Sequence, residues 1–153
     1  KILELIAFSS LIANKDIYAN QYKKFAEHWN AKLMLQDMER INPEFYPHPI
    51  IQKPSSIPGM KSDWSDRKDD FLTKDRFIKI YEKCGGILHA DNPYGSKTDY
   101  NYYRGHLKEW RNSIVNLLNA HTIKLVKDKN LYLFQMEAAN ANPSYTAFAP
   151  VGE

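Results

Sequence analysis

The residues best equipped for chemistry lie between His89 and Tyr94, where a predicted helix ends. This stretch, HADNPY, brings an imidazole, a carboxylate, an amide and a phenol together within six residues. One explanation is capping, because His near a helix C-terminus interacts favourably with the helix dipole and Asn or Asp can end the helix. The other is a pocket lined by His89, Asp91, Asn92 and Tyr94, in which His89 would act as an acid or base.

The next helix supplies the opposite wall of this candidate pocket. A short turn around Gly95 joins the two helices, so we expect them to be antiparallel neighbours. His106, Trp110 and Arg111 of the second helix would then face the corner. The alternative for His106 is a core-facing imidazole that is hydrogen-bonded, since buried polar groups are generally paired.

The remaining reactive types favour structural explanations. Cys84 is the single cysteine and falls within an apolar helical stripe, which predicts an inert buried thiol. It lies on a different side of its helix from His89, so the two do not form a dyad. Gly85 and Gly86 indicate close packing or close approach of a ligand, without a nucleotide-binding fingerprint. The His residues lack metal-ligand spacing, and we predict no metal and no cofactor.

Four helices position these residues. Ile2–Ala13 is apolar on nearly all sides, which is typical of a buried helix. The period of Tyr18, Tyr22, Phe25, Trp29 and Leu33 predicts one long helix over Ile17–Ile41. The third helix begins at Thr73, with a buried face from Phe77 to Leu88, and the fourth spans Asp99–His121, with Leu107 and Trp110 in its apolar stripe.

The rest of the chain predicts loops and strands. Residues 42–72 contain five prolines and predict a long wrapping segment, with an edge strand at Pro49–Lys53 and helical turns at Asp63–Asp70. The runs Thr122–Val126 and Leu131–Met136 predict a β-hairpin. A lone hairpin is marginally stable, so we expect a third strand, either Pro49–Lys53 or Tyr145–Ala149.

Together these elements predict a mainly α fold of the α+β class. It would have a bundle-like core of about four helices, a C-terminal hairpin that can extend into a small antiparallel sheet, and the Pro-rich wrapping segment. We expect a single domain over residues 1–137 and an extended tail over 138–153.

Composition narrows the functional classes without choosing one. The chain is 43% hydrophobic and 25% charged, with a formal charge of +3, and it has no apolar run of about 18 residues that would cross a membrane. The lone Cys favours the cytoplasm. Without a catalytic signature, we expect a non-enzymatic module that binds a protein partner or a second copy through an open sheet edge. An enzyme or small-molecule-binding protein with its pocket at the His89–Tyr94 corner is the alternative, and nucleic-acid binding by stacking and phosphate contacts is a third.

Overall fold

A computed structural model describes residues 1–21, 30–60, 62–87, 94–95, 97–136 and 142–150. Within these ranges the chain forms five helices and a five-stranded antiparallel sheet, so the predicted four-helix bundle is wrong and the α+β class holds. The helices are α1 (Ile2–Ala13), α2 (Lys15–Gln21), α3 (Ala31–Ile41), α4 (Lys74–Ile87) and α5 (Tyr100–Leu118). The strands are β1 (His48–Pro54), β2 (Ser62–Asp66), β3 (Ala120–Lys124), β4 (Leu131–Gln135) and β5 (Ser144–Phe148).

The predicted long helix over Ile17–Ile41 is wrong because a new helix starts at Ala31. Asn30 has an extended backbone, and its side-chain oxygen accepts the N–H groups of Lys32 and Leu33 at 3.0 and 3.3 Å. This is the usual geometry of a helix N-cap. Of the predicted stripe, Tyr18 is buried and Leu33 is exposed. Tyr22, Phe25 and Trp29 lie outside the described residues.

The Pro-rich segment contains two strands of the sheet. The β-branched pair Ile50 and Ile51 lies in β1, which sits between β2 and β3 and so is not the edge strand that was predicted. The helical turns predicted for Asp63–Asp70 are also wrong, because Trp64 lies in β2 opposite Gln52 of β1. Local charge had suggested a solvated turn, but cross-strand pairing decides the conformation.

The C-terminal hairpin is confirmed as β3 and β4, and both predicted third strands join it. β1 pairs with β3, and β5 pairs with β4. The order is β2-β1-β3-β4-β5, which makes β2 and β5 the two edges. The sheet is strongly coiled, since the rings of Trp64 on β2 and Phe148 on β5 lie 5.2 Å apart, centroid to centroid.

The main hydrophobic core lies among the helices, and α5 joins it to the sheet. Trp110 and Leu117 of α5 are buried in this core, and α5 also contacts β1 and β3. The segment just before α4 is hydrogen-bonded to α5, because the Leu72 N–H donates to the Ser113 carbonyl at 3.0 Å. The largest fully buried side chains of the core are those of Tyr18, Leu35, Met38, Phe45, Leu72, Phe77 and Leu117.

Two buried asparagines link the helical layer to the sheet, and we call them the Asn junction. Asn14 follows α1 and Asn42 follows α3. The Asn42 Nδ2 donates to the Asn14 Oδ1 at 3.4 Å and to the Lys124 carbonyl at the end of β3 at 2.9 Å. The Asn14 Nδ2 donates to the Ser10 carbonyl at 3.0 Å. The ends of two helices and one strand are thereby held at a single point.

Within the described ranges, no helix is both long enough and apolar enough to cross a membrane.

Replacing Asn42 with Ala should destabilise the protein markedly. The substitution removes the buried donor of the Lys124 carbonyl and of the Asn14 Oδ1. Each acceptor left unsatisfied costs about 1–3 kcal/mol. Urea unfolding followed by circular dichroism gives the free energy of unfolding. Asn101→Ala, at an exposed position in the first turn of α5, is the control and should change it by less than about 0.5 kcal/mol. Equal effects of the two variants would contradict the role given to the junction.

Candidate functional site

The helices α4 and α5 run antiparallel, as predicted, and long side chains bridge them. Arg76 forms an ion pair with Glu109, and further along the Tyr103 hydroxyl donates to the Lys83 carbonyl at 2.8 Å. The Asp99 Oδ1 accepts the Tyr102 N–H at 3.0 Å, so Asp99 is the N-cap of α5. The end of α4 and the start of α5 therefore lie side by side.

The predicted corner pocket is only partly within the described residues. His89, Asp91 and Asn92 lie outside them, so their arrangement stays a prediction. Tyr94 is described and is 98% exposed. The structure therefore shows where the opposite wall lies and leaves the corner itself as a hypothesis.

His106 belongs to an aromatic cluster on α5 formed by Tyr102, Tyr103, His106 and Trp110. Its ring lies 4.1 Å from the Tyr102 ring and 5.8 Å from the Trp110 ring, centroid to centroid. Its Nδ1 is 2.7 Å from the Tyr102 carbonyl oxygen, so Nδ1 carries the hydrogen and donates. This geometry supports the hydrogen-bonded alternative for His106 and leaves its Nε2 as an acceptor when the ring is neutral.

An open apolar groove lies among the described residues, between the start of α1, the second half of α4 and the middle of α5. Its volume is about 970 Å³. Leu107 and Val115, which are 58% and 45% exposed, lie on its α5 wall, and Ile2, 57% exposed, lies on its α1 wall. The apolar groove is lined by Lys1, Ile2, Leu3, Glu4, Asn30, Ile80, Tyr81, Glu82, Cys84, Gly85, Leu107, Trp110, Arg111, Ile114 and Val115.

Two of the sequence-predicted site residues, Trp110 and Arg111, lie in this groove. Leu107 was predicted to be buried in the apolar stripe of its helix and is instead exposed. The stripe of α5 is thus covered at Leu117 and open at Leu107.

The charges around the groove are mostly paired, and Arg111 is the exception. Lys1 pairs with Glu4, and Lys32 pairs with Glu82. The Arg111 guanidinium has only a long contact of 3.5 Å to the Asn112 Oδ1, and no carboxylate of the described ranges lies within ion-pair distance of it. The α5 wall of the groove therefore carries a cation that can receive an anionic partner group.

Cys84 and Gly85 line the groove, which changes their predicted roles. Cys84 is half-buried, and burial raises the pKa of its thiol, so the thiol is not activated. A Cβ added at Gly85 would meet no atom of a described residue within 4 Å, and one added at Gly86 would lie 3.9 Å from the Tyr103 hydroxyl. The described residues therefore do not support the close packing that was predicted for these glycines.

A second, more polar pocket of about 500 Å³ lies beside β1 and β3. It contains His48, whose Nε2 is 3.1 Å from the Asp66 Oδ1, and Lys124, which pairs with Glu44 at 2.8 Å. The sequence analysis missed this pocket because only the sheet register brings His48 and Asp66 together. No hydroxyl or thiol of another described residue is hydrogen-bonded to His48, and His48 and Lys124 each already contact a carboxylate, so the pocket lacks the parts of a nucleophilic site.

No group of three or more His, Cys, Asp or Glu residues within the described ranges is arranged to hold a metal ion. Comparison of the chain with protein-family models, with curated proteins and with solved structures found no match.

The Cys84 thiol should react slowly with a disulfide reagent such as DTNB. Because its pKa is raised by burial, a smaller fraction is thiolate at any pH below the folded-state pKa, and the thiolate is the nucleophile. We expect the reaction rate of the folded protein to be lower at pH 8 than that of the protein unfolded in guanidinium, and its pH profile to lie at higher pH. The single Cys makes the absorbance signal unambiguous. A folded-state rate equal to or above the unfolded rate would show that the thiol is activated and would contradict this assignment.

Proposed function

We propose that this protein is a non-enzymatic interaction module of the cytoplasm, and that the apolar groove binds an amphipathic helix of a partner protein. The observation that carries the proposal is the exposure of Leu107 and Val115 within a groove walled by helices. Large aliphatic side chains that line a concavity are typical of protein-binding sites and differ from scattered surface residues.

The pattern on α5 favours a helix as the occupant. The positions that line the groove are Leu107, Trp110, Arg111, Ile114 and Val115. They follow the spacing i, i+3, i+4, i+7 and i+8, which marks one face of a helix that packs against another. Trp110 and Leu117 pack into the core, whereas Leu107 and Val115 remain exposed at the groove. A bound amphipathic helix would complete this packing.

The charge of Arg111 favours an acidic partner. An acidic residue flanking the apolar face of a bound helix would pair with the guanidinium, for which no carboxylate of the described residues competes. Such a rim pair adds modest affinity and helps to fix orientation.

One observation favours the alternative of a small-molecule site. Trp110 and Arg111 were predicted to face the corner pocket, and both line the groove, so a flat apolar anion could use the same two residues. Nucleic-acid binding has less support. Arg76, Lys74 and Lys124 each form an ion pair with a glutamate, which weakens the positive field that a phosphate backbone requires.

The groove proposal is tested with two designed helical peptides that share one apolar face and carry either Glu or Lys beside it. We expect the acidic peptide to bind more tightly, and Leu107→Glu to weaken its binding by about tenfold or more, because a carboxylate would be desolvated in the apolar contact. Arg111→Gln should reduce the preference for the acidic peptide by about twofold to fivefold, as for an exposed ion pair. Fluorescence anisotropy of labelled peptides measures both effects.

Two control variants separate the groove from general surface effects. Ile57→Glu introduces the same charge at an exposed aliphatic residue between β1 and β2, and Arg104→Gln removes a cation from an exposed position of α5 outside the groove. Neither should change the affinity. Absence of binding by both peptides at millimolar concentration, or equal losses in control and groove variants, would count against the proposal. Binding of a small apolar anion with the same Leu107 and Arg111 dependence, without peptide binding, would favour the alternative.

A further inference from the structure

The strand β5 is an open edge of the sheet. It pairs with β4 on one side, and no strand of the described residues pairs with its other side. All five of its residues are exposed. An open edge presents unpaired N–H and C=O groups, which form a template for another strand.

The register shows which backbone groups of β5 point outward. The Met136 N–H donates to the Asn119 carbonyl at 2.8 Å, so Met136 and every second residue before it turn their backbone groups toward β3. Leu133 therefore turns toward β5, where it is opposite Thr146. The backbone N–H and C=O groups of Thr146 therefore point toward β4. Those of Tyr145 and Ala147 point to the open side of β5.

The two edges of the sheet differ in charge. β2 contains Asp63 and Asp66, whereas β5, with the sequence SYTAF, contains no charged residue. Like charges placed directly opposite each other destabilise a strand pair, so two copies of β2 would repel. Pro143 and Pro150 lie just outside β5, and they restrict further pairing to a short segment because proline has no N–H to donate.

We propose that two copies of the chain pair through β5 in antiparallel orientation, with Thr146 on the two-fold axis. This register places Tyr145 opposite Ala147 of the second copy, and each of these symmetry-related pairs exchanges N–H···O=C bonds in both directions. Every residue of the strand then has a partner. The interface is isologous and closes as a dimer, which is the usual form of a homo-oligomer.

Side chains on the sheet fit this register. One face carries a row of stacked rings that runs toward the edge: His121 lies 5.5 Å from Phe134, and Phe134 lies 5.8 Å from Tyr145, centroid to centroid. Tyr145 is 67% exposed, and the small side chain of Ala147 opposite leaves room for its ring. Phe148, at the end of the strand, makes an edge-on contact with Trp64 of β2, and its side chain lies on the opposite face of the sheet from Tyr145.

The test measures the dimerisation constant by sedimentation equilibrium for the wild type and for Ala147→Pro. This substitution removes an outward N–H while the bonds from β5 to β4 are kept, so we expect dimerisation to weaken by about tenfold or more. Ser62→Pro is the matched control, because it places proline at the start of β2 on the opposite edge, and it should leave the constant unchanged. A strictly monomeric wild type at millimolar concentration would overturn the proposal. So would growth beyond dimers, which indicates head-to-tail pairing of β5 with β2, or an unchanged constant in Ala147→Pro.

Amide hydrogen exchange on the wild type tests the register without any substitution, and it decides the question if Ala147→Pro fails to fold. The Tyr145 and Ala147 amides should exchange more slowly as protein concentration rises, because they become bonded only in the dimer. The Thr146 amide, which is bonded to β4, should be protected at every concentration. Protection of Tyr145 and Ala147 that does not depend on concentration would contradict pairing between copies.

Discussion

The structure depends on the Asn junction, where the helical layer and the sheet meet. Asn14 and Asn42 are both buried and both follow helices, and Asn42 also bonds the last residue of β3. A buried amide is costly unless its groups are paired, so the junction favours the placement of α1, α3 and β3 in which these hydrogen bonds form. Because α1 packs on α3 and begins at the apolar groove, fixing its C-terminal end also fixes one wall of that groove.

Local patterns in the sequence predicted most of the helices and strands. The predictions that were wrong concern segments whose conformation depends on long-range contacts. The periodicity of α4 and α5 and the hairpin of β3 and β4 were predictable because each depends on near neighbours in the sequence. The strand β2 was not, since its charges resemble those of a solvated turn and only pairing with β1 makes it a strand. The break at Asn30 was missed because an asparagine within a helical period can be either an interior residue or an N-cap, and the choice depends on tertiary contacts.

In the candidate site, too, the features that depend on near neighbours in the sequence were predicted and those that depend on long-range contacts were not. Sequence reasoning placed Trp110 and Arg111 on the surface of α5 that faces α4, and both lie in the groove there. It could not predict that Leu107 would be exposed in the groove, because that depends on the long-range packing of α1, α4 and α5. The contact between His48 and Asp66 could not be predicted either, because only the pairing of β1 with β2 brings these two residues together. The sequence signal for the groove is the excess of large aliphatic residues on α1 and α5 over what one core face requires, and for α1 it was interpreted as burial on all sides.

The central claim is that the apolar groove is the docking surface for a helical partner. It is tested most directly by mapping backbone amide chemical-shift changes across the protein as the acidic amphipathic peptide is added. The account predicts that the largest changes cluster at the start of α1 and at positions 107–115 of α5, with little change around His48 and Lys124. Changes centred on the His48 pocket, or spread evenly over the surface, would contradict it.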